Sequence, residues 1–262
     1  MNKIKVDGRK IICSCDDSID YDFVCRNEKF LVDSLKVKIK KDTELSLEVE
    51  QNDKIDIFIN VLEGVKVKIC EYLEAPNLKI QYKYYLEKDS LVEVKKVDNV
   101  CSLKEHDIIN LNGENAAFRR VLKTVSDGNE KYDMLVYHNS KNTRSDLVNH
   151  GVNVSEGTLV FDVSTFVPEE IAGCFANQSN RIINLTNNKC QICPNMYIDC
   201  FDVVANHSAF IGTFKEEEIF YLQSRGITVQ EATKLLIKGF LTSELEEEQK
   251  EKYMNIINEY WG

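Results

Sequence analysis

A rhythm constrains this chain more than any motif does. From residue 35 onward, apolar side chains fall at every second position in short runs: Leu35, Val37, Ile39; Leu45, Leu47, Val49; Ile55, Ile57, Ile59; Val65, Val67, Ile69. A strand turns successive side chains to opposite faces, so each run predicts a strand with one buried face. The runs restart every ten residues for four cycles, a fixed period that marks a repeat architecture.

Short strands at this spacing fit a sandwich of hairpins or a solenoid. Two-residue hairpins favour Asn-Gly or Asp-Gly. Neither occurs between the four runs, whose connectors are KKDTE, EQNDK and LEG. The pattern therefore points to a mainly β solenoid. The alternation continues at Leu78, Ile80, Tyr82, Tyr84, then Val92, Val94, then Ala117, Arg119, Val121, then Leu135, Tyr137, then Val152, Val154, then Leu159, Phe161, Val163. It reaches Met196, Ile198 and Cys200 and fades near Ile211.

The character changes at Thr213. Thr213 and Glu216 have capping-box spacing, three glutamates follow in the first turn, and Gly226 suits a stop. Thr228 and Glu231 open a second helix by the same device, with Ala232, Leu235, Leu236 and Phe240 as its apolar face and Gly239 on that side. A third helix is expected from Ser243 to Trp261, with Met254, Ile257 and Trp261 on its apolar side. The domain boundaries expected are thus 1–212 for the β core and 213–262 for a small α-helical part.

Composition narrows function. A net charge of −10 without a basic stripe argues against a nucleic-acid partner. No apolar run approaches the ~20 residues that span a bilayer, and the first residues lack the unbroken apolar segment of an export signal, so a cytoplasmic protein off the membrane is expected. There is no GxxxxGK[ST] phosphate loop, and Asp162, Asp199 and Asp202 form no recognisable carboxylate group. A non-enzyme is expected.

Nine cysteines are many for such a chain. The stretch CQICPNMYIDCFDVVANH carries Cys190, Cys193, Cys200 and His207, residue types that bind soft metals. Its CxxC precedes Pro194 at a strand start rather than a helix N-terminus, so the redox reading lacks its usual dipole. One CxxC is also half of a zinc signature. Cys200, in phase with Met196 and Ile198, is expected to be a core thiol. His106, His138 and His150 have no motif around them and are expected to be structural.

The segment NHSAFIGTFKEEEIFYLQSRGITVQEATKLLIKGF, with PNMYIDCFDV upstream, resembles the C-terminal signature of the SufB/SufD family of iron–sulfur cluster assembly scaffolds. The matching positions are His207, Ala209, Gly212, Phe220-Tyr221-Leu222, Ser224-Arg225-Gly226-Ile227, and Glu231-Ala232 through Gly239-Phe240. The resemblance implies a right-handed parallel β-helix. It implies a SufC-type ABC ATPase as partner, bound by the C-terminal helices through Leu222, Arg225, Leu235, Leu236 and Phe240. It implies a second scaffold chain, giving a homodimer or heterodimer, and a transient iron–sulfur cluster, expected as [4Fe-4S], at their interface. His207 is the implied metal ligand, with Cys174, Cys190 and Cys193 as further candidates. Counted without gaps, the family's sulfur-accepting cysteine falls on Ser179 and its glutamate on Ser208, which makes the chain resemble SufD more than SufB. The alternative implied is a structural SufD-like subunit that binds the ATPase and carries no cluster.

Overall fold

In the computed structural model, which describes residues 1–26, 31–245 and 247–261, the alternation becomes two stacked parallel ladders. One ladder runs through β1 (Asn2–Asp7), β5 (Thr43–Glu50), the first parts of β7 (Lys66–Leu86) and β8 (Leu91–Leu111), β9 (Ala117–Ser126), β11 (Arg144–Asn153), β13 (Cys174–Asn184) and β15 (Val203–Gly212). The other runs through β4 (Val32–Ile39), β6 (Lys54–Val61), the second parts of β7 and β8, β10 (Asn129–His138), β12 (Leu159–Val167) and β14 (Gln191–Ile198). At the N-terminal end the short β2 (Lys10–Ser14) pairs antiparallel with β1, and β3 (Ile19–Cys25) antiparallel with β4. The result is a parallel β-helix of about six turns, 61% strand.

Coil length rises along most of the β-helix, from 22 residues between β4 and β6 to 31 between β11 and β13, and is 29 between β13 and β15. Contacts between neighbouring coils join residues 24 apart at Asp42 and Lys66, 27 apart at Arg119 and Asp146, and 31 apart at Asn153 and Asn184. A longer coil encloses more interior, and the filling changes to match. The narrow coils are packed with fully buried Leu35, Val37, Ile39, Leu45, Leu47, Ile57 and Ile59. Wider coils bury Tyr82, Tyr84, Phe118, Tyr132 and Phe161, and then amides. Asn149 Nδ2 donates to Asn180 Oδ1 at 2.8 Å, and Asn153 Nδ2 to Asn184 Oδ1 at 3.2 Å.

Phase was read correctly through the early runs and inverted in three later ones. In β9 the interior residues are Phe118, Arg120 and Leu122 rather than Ala117, Arg119 and Val121. In β10 they are Tyr132, Met134 and Val136, while Leu135 and Tyr137 face outward. Tyr137 there stacks on Phe166, and Phe166 on Tyr197, each at 4.8 Å. In β11 Val152 faces outward, buried beneath the helices with Val154 packed beside it. These strands carry apolar and polar residues on both faces, so hydrophobicity alone no longer tells inside from outside. Cys200 lies in the turn beyond β14, half-buried, rather than continuing the strand to the core.

Three helices follow β15: α1 (Glu216–Gln223), α2 (Val229–Thr242) and α3 (Glu247–Trp261). α1 starts two residues later than its Thr213 signal, with Lys215 as N-cap; the Glu218 carboxylate accepts the Lys215 backbone N–H at 3.2 Å. Phe214, between Thr213 and Lys215, is buried edge-on against Phe240 and keeps the chain extended past Thr213. Gly226 takes φ +84° after α1, as its stop position requires. At α2 the Thr228 Oγ1 accepts the Glu231 N–H and Glu231 returns the bond to the Thr228 N–H, the expected reciprocal cap.

The face of α2 is rotated from the expectation. Ala232, Ile237 and Leu241 are buried, Leu236 and Phe240 partly so, while Leu235 and Gly239 are exposed. In α3 it is Tyr253 and Ile257 that bury fully, with Met254 half-buried; the Trp261 side chain lies outside the described residues. The helices thus cover the outer face of the first ladder at Val97, Val125, Val152 and Ile183. Gln249 Nε2 ties α3 to the Lys95 carbonyl at 3.1 Å. Each fully buried Ile or Leu in this contact contributes about 1.5–3 kcal/mol by burial.

Candidate functional site

The β-helix ends on an open strand. β15 pairs with β13 on one edge, and no described strand pairs with its other edge. Residues 204–211 are exposed throughout, including Val204, Phe210 and Ile211; Tyr197 and Phe201 are exposed nearby. Unpaired N–H and C=O groups beside exposed apolar side chains form a surface built for strand pairing or docking.

His207 stands in the middle of this strand, exposed, and in register with Gln178 one coil below. Register and alternation place it in the interior phase, above the mouth of the solenoid. Gln178 is buried, and its Nε2 donates to Thr165 Oγ1 at 2.8 Å and to the Asn195 carbonyl at 3.1 Å. The Gln178 Oε1 has no hydrogen-bond partner among the described residues.

The thiols are placed differently. Cys174 is buried at the start of β13, its Sγ 3.3 Å from Thr143 Oγ1 and 3.7 Å from the Ser140 carbonyl. Cys190 is half-buried beside Ile192 against the apolar interior, and burial pushes its thiol pKa up. Cys193 is partly exposed and accepts from Gln191 Nε2 at 2.9 Å. Among the described residues no three His, Cys, Asp or Glu side chains gather closely enough to hold a metal ion. The chain therefore does not bring His207, Cys174, Cys190 and Cys193 into one site by itself. All nine cysteines are free thiols.

Ser179 and Ser208 are direct neighbours across β13 and β15, with 3.4 Å between their hydroxyls. Cys174 lies on the interior face of β13 and Ser179 on the outer face, because an odd residue separation reverses side-chain direction.

The remaining histidines have structural partners. His106 Nδ1 is 3.0 Å from Asp133. His138 is buried between the hydroxyls of Thr143 and Ser145 at 2.8 and 2.9 Å, and burial lowers its pKa to about 4. His150 stacks on Phe240 at 4.6 Å with Lys123 Nζ 2.7 Å away; burial first and then that cation lower it to about 3.

The five helical positions divide into two groups. Phe240 and Leu236 turn toward the β-helix, Phe240 also meeting the Arg181 guanidinium at 5.2 Å. Arg225 and Leu235 are exposed and Leu222 half-buried. With Phe220 (72% exposed), Tyr221 and Val229, they leave an apolar patch on α1 and α2. A groove of about 420 Å³ runs beside it, lined by Gly226, Ile227, Glu231, Lys234, Leu235 and Lys238.

Sequence reasoning missed a charged cluster inside the solenoid. Lys96 Nζ, fully buried, lies 2.7 Å from Glu105, 3.5 Å from Glu71 and 3.8 Å from Asp98. Arg120 pairs with Glu105 and Asp107. Tyr132 and Glu130 complete the group. The signal was available: Lys96 and Asp98 continue the phase of Val92 and Val94, so the alternation itself aims them inward.

No helix among the described residues is long and apolar enough to cross a membrane. Against known proteins, residues 58–240 match the family model "SUF system FeS cluster assembly, SufBD core domain". The chain is 29% identical over 154 residues to the iron-sulfur cluster assembly protein SufD of Escherichia coli, covering 56% of this chain and 36% of that one. It is 29% identical over 113 residues to SufD of Bacillus subtilis, covering 43% and 26%. It is 56% identical over 36 residues to a SufBD family protein of Pyrococcus horikoshii, covering 14% and 8%. The matched segments thus span about a third or less of these relatives. With most of its β-helix and its first two helices inside the family model, the chain belongs to the SufBD core family of the SUF iron–sulfur cluster assembly system.

Proposed function

We propose that the chain is a non-enzymatic scaffold subunit of a SUF-type assembly complex, working in the cytoplasm. In this reading the open face of β14 and β15 pairs with a second SufB/SufD-type chain, and α1 and α2 dock a SufC-type ABC ATPase. The transient iron–sulfur cluster is cargo held at the scaffold interface. The observation that carries the reading is the exposed β15, an unpaired apolar edge with His207 at its centre.

Among the described residues of one chain the donors form no cluster site, so in this reading the cargo takes donors from both chains. His207 would supply a neutral imidazole, a ligand that leaves a cluster more labile than an all-thiolate set. Cys190 and Cys193, beside and on β14, would be thiols supplied from the neighbouring terminal strand. Cys174, enclosed by Thr143 and Ser140, becomes available only if the last coil opens. The helices supply a lever. Force applied at the exposed Phe220, Tyr221 and Leu235 passes through Phe240, Leu236 and Ile237 to the outer face of the β-helix at Val125, Val152 and Ile183.

A second reading has its own support. The Ser179–Ser208 pair offers hydroxyls where the resemblance expects a thiol and a carboxylate, which favours a SufD-like structural subunit that binds the ATPase without carrying the cluster. Both readings share the helical docking surface. Leu235→Asp, at an exposed position, is expected to leave folding unchanged and weaken co-elution with a SufC-type ATPase at least tenfold. Unchanged co-elution would remove α1 and α2 from the interface.

A further inference from the structure

The buried cluster has a proton count that its geometry fixes. Five carboxyl groups, Glu71, Asp98, Glu105, Asp107 and Glu130, face two cations, Lys96 and Arg120, and all seven side chains are almost wholly shut from solvent. An excess of three negative charges in a low-dielectric interior is not sustainable; such groups neutralise instead.

The hydrogen bonds say where the protons sit. The Tyr132 hydroxyl is 2.9 Å from Asp98 Oδ2 and also 2.9 Å from Glu130 Oε2. A phenol has one hydrogen, so it can donate to only one of them. The other contact is a hydrogen bond only if that carboxyl is the donor. Thr124 Oγ1 adds a third oxygen 2.8 Å from Glu130 Oε2. Glu105 and Asp107 converge on the Arg120 guanidinium through Oε1 and Oδ2, and the buried Asp107 Oδ1 has no hydrogen-bond partner among the described residues. Glu105 faces two cations, Lys96 and Arg120, whereas Asp107 faces Arg120 alone, so of the two it is Asp107 whose charge is less compensated and which keeps a hydrogen.

We infer that the interior of the β-helix is a proton-binding site, in which Asp98, Tyr132 and Glu130 share one retained proton and Asp107, held by a single cation, keeps another. A third proton in the group leaves two carboxylates against two cations and a neutral interior. Burial is the leading cause at each member: it raises Asp98 to about 7, Glu130 to about 8 and Asp107 well above its ordinary value. The groups facing the site come from every element around it: Glu71, Tyr82 and Tyr84 from β7, the four charged residues of β8, Arg120 from β9, Glu130 and Tyr132 from β10, and Tyr253 from α3.

The consequence is a stability that falls as pH rises. A carboxyl whose pKa is higher in the fold holds its proton while the unfolded chain has released it. Its contribution is whole below about pH 4 and is lost as pH rises through the folded value. That direction is opposite to the usual salt-bridged carboxylate.

Urea unfolding of wild type and Glu130→Gln across pH 5–9 tests this, since glutamine keeps the shape and mimics the neutral acid. The ratio of the wild-type unfolding constant to that of the variant is expected to climb about tenfold per pH unit from pH 5 to 7 and to flatten above about pH 8. A ratio independent of pH overturns the inference. Infrared spectra of the folded wild type give a second reading that needs no variant. A neutral carboxylic-acid band present at pH 7 and lost toward pH 9 supports the site; its absence at pH 7 overturns it.

Discussion

The narrow and wide ends of one solenoid solve the same packing problem with different chemistry. In the coils around Leu35, Leu47 and Ile57 the enclosed space is small and aliphatic side chains fill it. In the coils around Lys96, Arg120 and Glu130 the space is larger, and buried charges, tyrosines and amides fill it. The strand period is identical in both. What differs is the length of chain per coil, and with it the room that must be occupied. Fold and filling are therefore separable: alternation specifies the β-helix, while coil length specifies what the interior has to be.

Substitutions at the two ends should separate these contributions. The largest effect is expected from Arg120→Ala in the wide part, which leaves Asp107 buried without its cation and Glu105 with Lys96 alone. A loss of about 3–5 kcal/mol is expected in chemical denaturation. Ile57→Ala in the narrow part should cost about 2–5 kcal/mol through the cavity it leaves, and Ile57→Val only about 0.5–1.5. If Arg120→Ala were as mild as Ile57→Val, the charged interior would not be a packed core in the sense the narrow end is.

Acid should act on the wide end as well. His138 and His150 remain neutral in the fold, held to about 4 and about 3 by burial, whereas the unfolded chain protonates both near 6.5. A depressed histidine withholds a proton that the unfolded chain binds, so stability is lost as pH falls below about 6.5. The loss is expected at up to about 1.4 kcal/mol per pH unit for each. Thermal unfolding of His138→Gln between pH 4 and 7 checks it, by a shallower acid slope than wild type.

A smaller effect is expected at the helical cap: Thr228→Ala removes the Glu231 N–H acceptor and should cost about 1 kcal/mol. The smallest is expected on the open strand. Phe210→Ser, at an exposed position, should change the stability of the isolated chain by no more than about 0.5 kcal/mol, yet weaken pairing with a second scaffold chain in sedimentation.

The same contrast explains what could be read from sequence. Leu35 through Ile69 were legible because one face of each strand is apolar and the other charged. Val125 and Val152 were not, because helices cover their outer face and erase the contrast. Lys96 and Glu105 were missed because a charged side chain drops out of an apolar alternation; their position in the alternation pointed inward all along. At the candidate site the motif around His207 located the strand, and its exposure had no sequence signal, since exposure there follows from the absence of a further described coil rather than from residue type. The relation between Ser179 and Ser208 was equally hidden: the register between β13 and β15 makes neighbours of residues 29 positions apart.

In the proposed function the open end of the β-helix holds cargo. Anaerobic reconstitution with iron and sulfide, on wild type and His207→Ala with a second scaffold chain and the ATPase present, tests it most directly. The account predicts a cluster absorbance and Mössbauer signature in wild type that His207→Ala loses while still assembling with its partners. An equal cluster yield in both proteins would contradict a ligand role for His207, and no cluster in either would leave the structural SufD-like reading as the correct one.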